Sequence, residues 1–173
     1  TGTSQDISGI QKIISSTEAI KLDKVPARLL VIGAGAIGLE LGSVWSRLGS
    51  KVTVVEFQDR LVPPADKQLT AELLKILTRQ GMEFKLSTKV TSTFVTDDSV
   101  KVDFESVDGT KKESLEVDIV LVAVGRKPYS DKLGISELGV TQDKLGRVVV
   151  DSKFQTNIKG IYAIGDLISG PML

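Results

Sequence analysis

The sequence predicts an α/β fold: a parallel nucleotide-binding sheet flanked by helices, with an antiparallel meander as crossover. Three observations carry this. An apolar run, Leu29-Leu30-Val31-Ile32, meets glycines spaced G-x-G-x-x-G at Gly33, Gly35 and Gly38, and a helical apolar pattern follows at Ile37, Leu41, Val44, Trp45 and Leu48. A second β-branched run, Lys51–Glu56, completes a βαβ unit of about 30 residues. A nearly continuous apolar run, Ile119-Val120-Leu121-Val122-Ala123-Val124, reads as a buried parallel strand.

The remaining elements follow in order. Residues 1–27 are irregular, with a helical turn near Ser16–Ile20 and Pro26 closing the stretch. The first long strand covers Arg28–Ile32, and the helix after the glycine turn runs to about Leu48. Pro63 and Pro64 break the loop after the second strand. Asp66 is placed to cap a helix reaching about Gln80, with Leu69, Leu73, Ile76 and Leu77 at helical spacing and Gly81 ending it. Glu83–Leu86 reads as a short strand. From Val90 to Val117 the residues alternate, as in Val100-Lys101-Val102-Asp103-Phe104, with turn signals at Asp97-Asp98 and Asp108-Gly109. That pattern predicts an antiparallel hairpin or three-stranded meander. Residues 129–146 are loop-like, and Arg147–Val150 is expected to add one more strand.

Composition bounds the chemistry. Lys plus Arg and Asp plus Glu both number 22, so net charge points to neither nucleic acid nor a membrane surface. No apolar run approaches the roughly 20 residues of a membrane span. The chain has no cysteine and no histidine. It therefore offers no thiol redox centre, no Cys or His metal ligand and no histidine general base, and no catalytic or metal-binding residue is assigned within it. Thr1 at the start and the abrupt stop after Gly170-Pro171-Met172-Leu173 read as a segment of something longer.

The three glycines have separate tasks. Gly33 permits the tight turn, Gly35 lets a pyrophosphate approach the backbone, and Gly38 lets the helix pack close to the strand. The helix N-terminus offers unpaired N–H groups and about half a positive charge to phosphates. Glu56 closes the second strand, 18 residues beyond Gly38. A carboxylate there accepts hydrogen bonds from an adenosine ribose diol and repels a 2′-phosphate. At roughly 4 Å and an effective dielectric of about 20 the repulsion is on the order of 4 kcal/mol. This favours NAD(H) over NADP(H), unless Arg60 folds back toward the ribose. Glu40 lies early in the helix, where the helix dipole alone favours an acid or where it sits near a nicotinamide. Gly125 ends the apolar strand, where a turn or room for a ring are both served by glycine. Trp45 reads as core.

Together these residues point to a family. Val31–Gly42 (Val-Ile-Gly-Ala-Gly-Ala-Ile-Gly-Leu-Glu-Leu-Gly) followed by Val54-Val55-Glu56 resembles the NAD domain of the two-dinucleotide flavoprotein disulfide reductases, the pyridine nucleotide-disulfide oxidoreductase family. The runs Gly42–Gly49 and Glu56-Phe57 look most like its dihydrolipoamide dehydrogenase branch. Val120–Pro128 is similar to a second family signature, and Thr156–Asp166 to its flavin-binding one. Thr1-Gly2 resembles the end of a stretch where the chain leaves the flavin domain.

The resemblance implies a Rossmann-like domain over 1–127 with a leading linker 1–26, a connecting loop 128–146, and a C-terminal part of a flavin-binding domain over 147–173. It implies NAD contacts at Gly33, Ala34, Gly35, Ala36, Ile37, Gly38, Leu39 and Glu40, with Glu56 on the ribose and further contacts at Val90 and Gly125. Asp166 would meet the ribityl–phosphate region of FAD, and Met172 and Leu173 begin a stretch that lines the flavin. The family's redox-active disulfide, its N-terminal flavin fingerprint and its interface domain with a His–Glu pair are not in these residues, so the chain alone is not expected to catalyse. The implied parent is an NAD- and FAD-dependent dihydrolipoyl dehydrogenase. It is expected to be a homodimer associating with 2-oxo acid dehydrogenase complexes or the glycine cleavage system, in a bacterial cytoplasm or a mitochondrial matrix. Two rivals are a related NADH-linked flavoprotein reductase or oxidase acting on a disulfide, a metal ion or oxygen, and an NAD-sensing regulatory module. The Gly165-Asp166 tail argues against the sensor.

Overall fold

The computed structural model describes residues 12–170 and 172. The expectation for Thr1-Gly2, and the site assignment of Leu173, lie outside those residues. The chain divides into two compact units, Thr1–Val124 and Gly125–Leu173.

The first unit runs β1 (Ile13–Ile14), α1 (Ser16–Ala19), β2 (Arg28–Ile32), α2 (Ala36–Arg47), β3 (Lys51–Val55), α3 (Lys67–Arg79), β4 (Glu83–Lys85), β5 (Thr88–Val95), β6 (Val100–Ser106), β7 (Lys112–Val117) and β8 (Ile119–Val122). Five strands form a parallel sheet in the order β1-β8-β2-β3-β4. The other three form an antiparallel sheet in the order β5-β6-β7. The meander thus replaces a crossover helix between β4 and β8. β1 is an unexpected element: two residues carry no periodicity, and only the pairing of Ile13 and Ile14 with Val120 and Leu121 defines it.

The central strands are buried on both faces, as parallel strands between two layers must be. Leu29, Val31, Val52, Val54 and Leu121 share one core with Leu39 and Trp45 of α2 and Leu77 of α3. Leu30, Val55 and Val120 share the other with Val100, Val102 and Phe104 of β6 and Val117 of β7. The alternation in β6 sends Val100, Val102 and Phe104 inward and leaves Lys101 and Asp103 on the outer side. Asp66 caps α3 by accepting hydrogen bonds from the main-chain N–H groups of Gln68 and Leu69.

The face α2 presents to the sheet overlaps the apolar pattern of the sequence only in part: Trp45 is in the core and Leu41 packs against that core. Gly38, Leu39, Gly42 and Trp45 are buried, whereas Val44 and Leu48 are exposed. The cause is close approach. A Cβ on Gly42 would stand 3.1 Å from Met82 Cε and 3.5 Å from Val31 Cγ2, so the residues without side chains let the helix settle nearest the strands.

The second unit is built mainly of turns. The strand expected at Arg147–Val150 does not form: Val148 makes one isolated antiparallel bridge with Gln142, because the segment has no partner strand to extend the ladder. A second bridge joins Gln155 and Tyr162, and a short 3-10 turn covers Gly165–Leu167.

Candidate nucleotide site

The glycine turn sits at the carboxyl ends of β2 and β3, with the end of β8 alongside. Ala123 N–H donates to the Ile32 carbonyl at 2.8 Å, and Gly33 N–H donates to the Val55 carbonyl at 2.8 Å. The glycines divide the work by geometry. Gly33 has φ +104°, and a Cβ there would lie 2.5 Å from the Ala123 carbonyl oxygen. A Cβ on Gly38 would lie 2.1 Å from the Gly33 carbonyl oxygen. Gly35 is different: it is the N-cap of α2, its backbone is extended at φ −75°, and nothing lies within 4 Å of where its Cβ would be. No side chain caps the helix. Space and unclaimed N–H groups therefore coincide at Gly35, as an anion-binding turn requires.

Glu56 follows β3 and is only 9% exposed. Its Oε2 accepts from Ala34 N–H at 2.7 Å and its Oε1 accepts from Gln58 N–H at 2.8 Å. The Ala34 carbonyl in turn accepts from Val62 N–H at 2.9 Å. Ala34 is fully buried, with both main-chain groups engaged. Arg60 donates from Nη2 to the Pro63 carbonyl at 2.9 Å, within its own loop. The Gln58 and Val62 contacts leave no signal in the sequence, because they use main-chain groups that any residue carries.

Of the remaining expected contacts, Ala36 and Ile37 open α2 and are part-exposed, while Leu39 is buried in the helix-side core. Glu40 is exposed and lies beyond the first turn of α2, out of the strongest part of the helix dipole. Val90 in β5 packs against the meander-side core, beside an irregularity in register between Val90 and Ser92.

In the second unit, Gly125 has φ +138° with nothing within 4 Å of its Cβ position. Asp166 lies on the 3-10 turn with its side chain 42% exposed and the Arg126 Nε 3.7 Å from Oδ2. Met172 is part-exposed. No cluster of metal-ligating side chains occurs among the described residues.

A parallel sheet, a glycine turn opening a helix and an acid after the next strand are the features of the dinucleotide-binding class of α/β fold. Within that class the family is specific. The profile described as pyridine nucleotide-disulphide oxidoreductase matches residues 2–173, and the chain belongs to that family. It is 49% identical over 163 residues to a mitochondrial dihydrolipoyl dehydrogenase of Pisum sativum, covering 94% of this chain and 32% of the relative. It is equally similar, at 49% over 163 residues, to a leghemoglobin reductase of Glycine max, covering 94% of this chain and 31% of that one. A solved structure, the HOCl-induced flavoprotein disulfide reductase RclA of Escherichia coli, superposes with a TM-score of 0.81 at 30% identity, covering 94% of this chain and 36% of that one. The chain thus spans about a third of the length of the curated relatives it matches. Among the described residues no helix is long and apolar enough to cross a membrane.

Proposed function

We propose that this chain is the NAD(H)-binding segment of a flavoprotein dihydrolipoyl dehydrogenase. The carrying observation is the open Gly35 position at an uncapped helix N-terminus, with the Glu56 carboxylate fixed beside it. These residues fit the nucleotide. Gly35, Ala36 and Ile37 would hold the pyrophosphate by main-chain N–H groups, and Glu56 keeps lone pairs for the adenosine ribose diol beyond the two that accept Ala34 and Gln58. Glu40, Val90 and Gly125 are the further contacts implied by the family.

When bound, the nicotinamide serves as hydride acceptor for a flavin during oxidation of protein-bound dihydrolipoamide; the chain's own residues supply position and electrostatics. Asp166, Met172 and Leu173 are the proposed contributors to the flavin side. The chain's division between Val124 and Gly125 supports assigning about 1–127 to the nucleotide domain, 128–146 to a connection and 147–173 to part of a flavin domain. The mitochondrial dihydrolipoyl dehydrogenases among the relatives support a mitochondrial matrix; a bacterial cytoplasm as the other compartment, a homodimeric parent and its association with 2-oxo acid dehydrogenase complexes or the glycine cleavage system belong to the same proposal.

The leghemoglobin reductase, as similar as the dehydrogenase, favours one second reading: an NADH-linked flavoprotein reductase with a different acceptor. Both readings need the same nucleotide. Calorimetry on the 173-residue chain should show NADH binding at least about tenfold tighter than NADPH, the direction set by charge repulsion at Glu56. Equal affinities overturn the assignment.

A further inference from the structure

We infer that Glu56 is a positioning residue for the pyrophosphate turn as well as a reader of the ribose: its carboxylate holds the Ala34 peptide so that Gly35 and the start of α2 stay presented. The inference rests on the nucleotide site proposed above. A carboxylate that only read a diol would need no partner within the chain. Glu56 instead spends one lone pair of each oxygen on a main-chain N–H, Ala34 at 2.7 Å and Gln58 at 2.8 Å. It is nearly buried while doing so, at 9% exposed.

The need for a clamp follows from the sequence of the turn. Ala34 lies between Gly33 and Gly35, the two residue positions with least steric resistance to rotation of the peptides they flank. Nothing in such a tripeptide fixes the plane of the Ala34 peptides by itself. Two hydrogen bonds do so from outside, Ala34 N–H to Glu56 at 2.7 Å and Val62 N–H to the Ala34 carbonyl at 2.9 Å; two more brace them, Gly33 N–H to the Val55 carbonyl at 2.8 Å on the preceding peptide and Gln58 N–H to the other oxygen of Glu56. Of these, the two through Glu56 are the ones a side-chain substitution removes. Without them the Ala34 N–H is buried and unpaired, and rotation toward another acceptor reorients Gly35. Glu56 therefore couples the end that binds ribose to the turn that binds phosphate.

The test separates the two roles by removing the diol from the ligand. Binding of NADH and of its 2′,3′-dideoxyadenosine analogue is measured by calorimetry on the 173-residue chain, for the wild type, Glu56→Ala and Glu56→Gln. Glu56→Ala should weaken the dideoxy analogue by about tenfold or more, the scale of one lost hydrogen bond to a charged acceptor. Glu56→Gln keeps one carbonyl acceptor and should recover part of that loss, and hydrogen exchange at the Ala34 amide should rank the three proteins in the same order. If the dideoxy analogue binds all three alike, Glu56 reads only the ribose and the proposal is overturned. A lowered melting temperature with unchanged affinity for the analogue overturns it equally. If Glu56→Ala does not fold, the comparison of Glu56→Gln with wild type decides in the same way. A wild type that binds neither nucleotide overturns the nucleotide reading itself, a result that no Glu56 variant would mimic.

Discussion

The two units of the chain are held by different forces. The Thr1–Val124 unit has two hydrophobic cores on either side of a parallel sheet, with strand residues such as Leu30, Val31 and Val54 fully buried. In the Gly125–Leu173 unit, buried apolar side chains among the described residues are Val140 and Val148. Its turns are tied by side chains reaching main-chain groups. Asp151 accepts from the N–H groups of Lys153 and Gln155, and Asn157 bridges Thr141 N–H and the Gly139 carbonyl. In the first unit geometry is fixed by close packing, so a misplaced methyl group is the gravest fault. In the second it is fixed by a few polar atoms, so the gravest fault is loss or protonation of one of them.

The sharpest way to break that contrast is to add one carbon at two glycines of the same turn. Gly38→Ala places Cβ 2.1 Å from a carbonyl oxygen in the closest-packed part of the first unit. We expect a loss of about 4 kcal/mol or more in denaturant unfolding. Gly35→Ala meets nothing within 4 Å and has an extended backbone that alanine adopts, so its cost should stay below about 1 kcal/mol. The same methyl occupies the space left for a pyrophosphate, and NADH affinity should fall by at least about tenfold. If the two variants are equally stable, close approach at Gly38 is not what fixes the turn.

That difference between glycines was readable in advance because each position has a distinct conformational demand. The βαβ unit, the Asp66 cap and the meander were legible for a similar reason: each depends on a local period or a local hydrogen bond. What escaped depended on partners far along the chain. β1 exists only through β8, and the place of β8 between β1 and β2 appears in no local pattern. Of the pattern Ile37, Leu41, Val44, Trp45 and Leu48, Trp45 is in the core as expected and Leu41 packs against that core, but Val44 and Leu48 stay exposed because Gly38 and Gly42 bring the adjoining strip of α2 closest to the sheet. At Arg147–Val150 a strand-like composition found no ladder to join. At the site, Glu56 was legible as an acid after the second strand, while its hold on Ala34 was not, since an N–H acceptor has no sequence signature.

Asp118 tests whether polar ties matter inside the packed unit. Burial pushes its carboxyl up, but Arg28 outweighs this: its Nε and Nη2 donate to Oδ1 at 3.0 and 2.7 Å, and its main-chain N–H donates to Oδ2 at 2.8 Å, so the net shift is downward. The pair joins the starts of β2 and β8, and both side chains are part-exposed, at 42% and 28%. Allowing for solvent screening, Asp118→Asn should cost about 1 kcal/mol. A carboxyl lowered on folding stabilises above its unfolded pKa, and the contribution is lost as pH falls through the folded one. Unfolding followed from pH 6 to pH 2 should therefore show a shallower acid limb in Asp118→Asn. An unchanged limb would mean that the cores alone set the stability of this unit.

The smallest global effect, and the most local one, belongs to Asp143 in the second unit. Its Oδ1 accepts from Leu145 N–H at 2.8 Å and Arg147 N–H at 2.9 Å, and Oδ2 accepts from Arg147 Nε at 2.7 Å. The Arg147 main-chain hydrogen bond leads in holding this carboxyl below its ordinary value of 3.8, with the guanidinium adding to it. The loop is thus stabilised above about pH 4, and the contribution disappears as pH falls through the lowered value. Carbon-detected NMR should find the Asp143 carboxyl titrating below 3.8 and the Leu145 and Arg147 amide resonances moving with it. In Asp143→Ala those two amides should exchange faster at neutral pH while Val31 and Val54 amides keep their protection, because the turn and those strands belong to different compact units. Equal acceleration at Val31 would show the two units opening as one, and the distinction between packed and tied regions would fail.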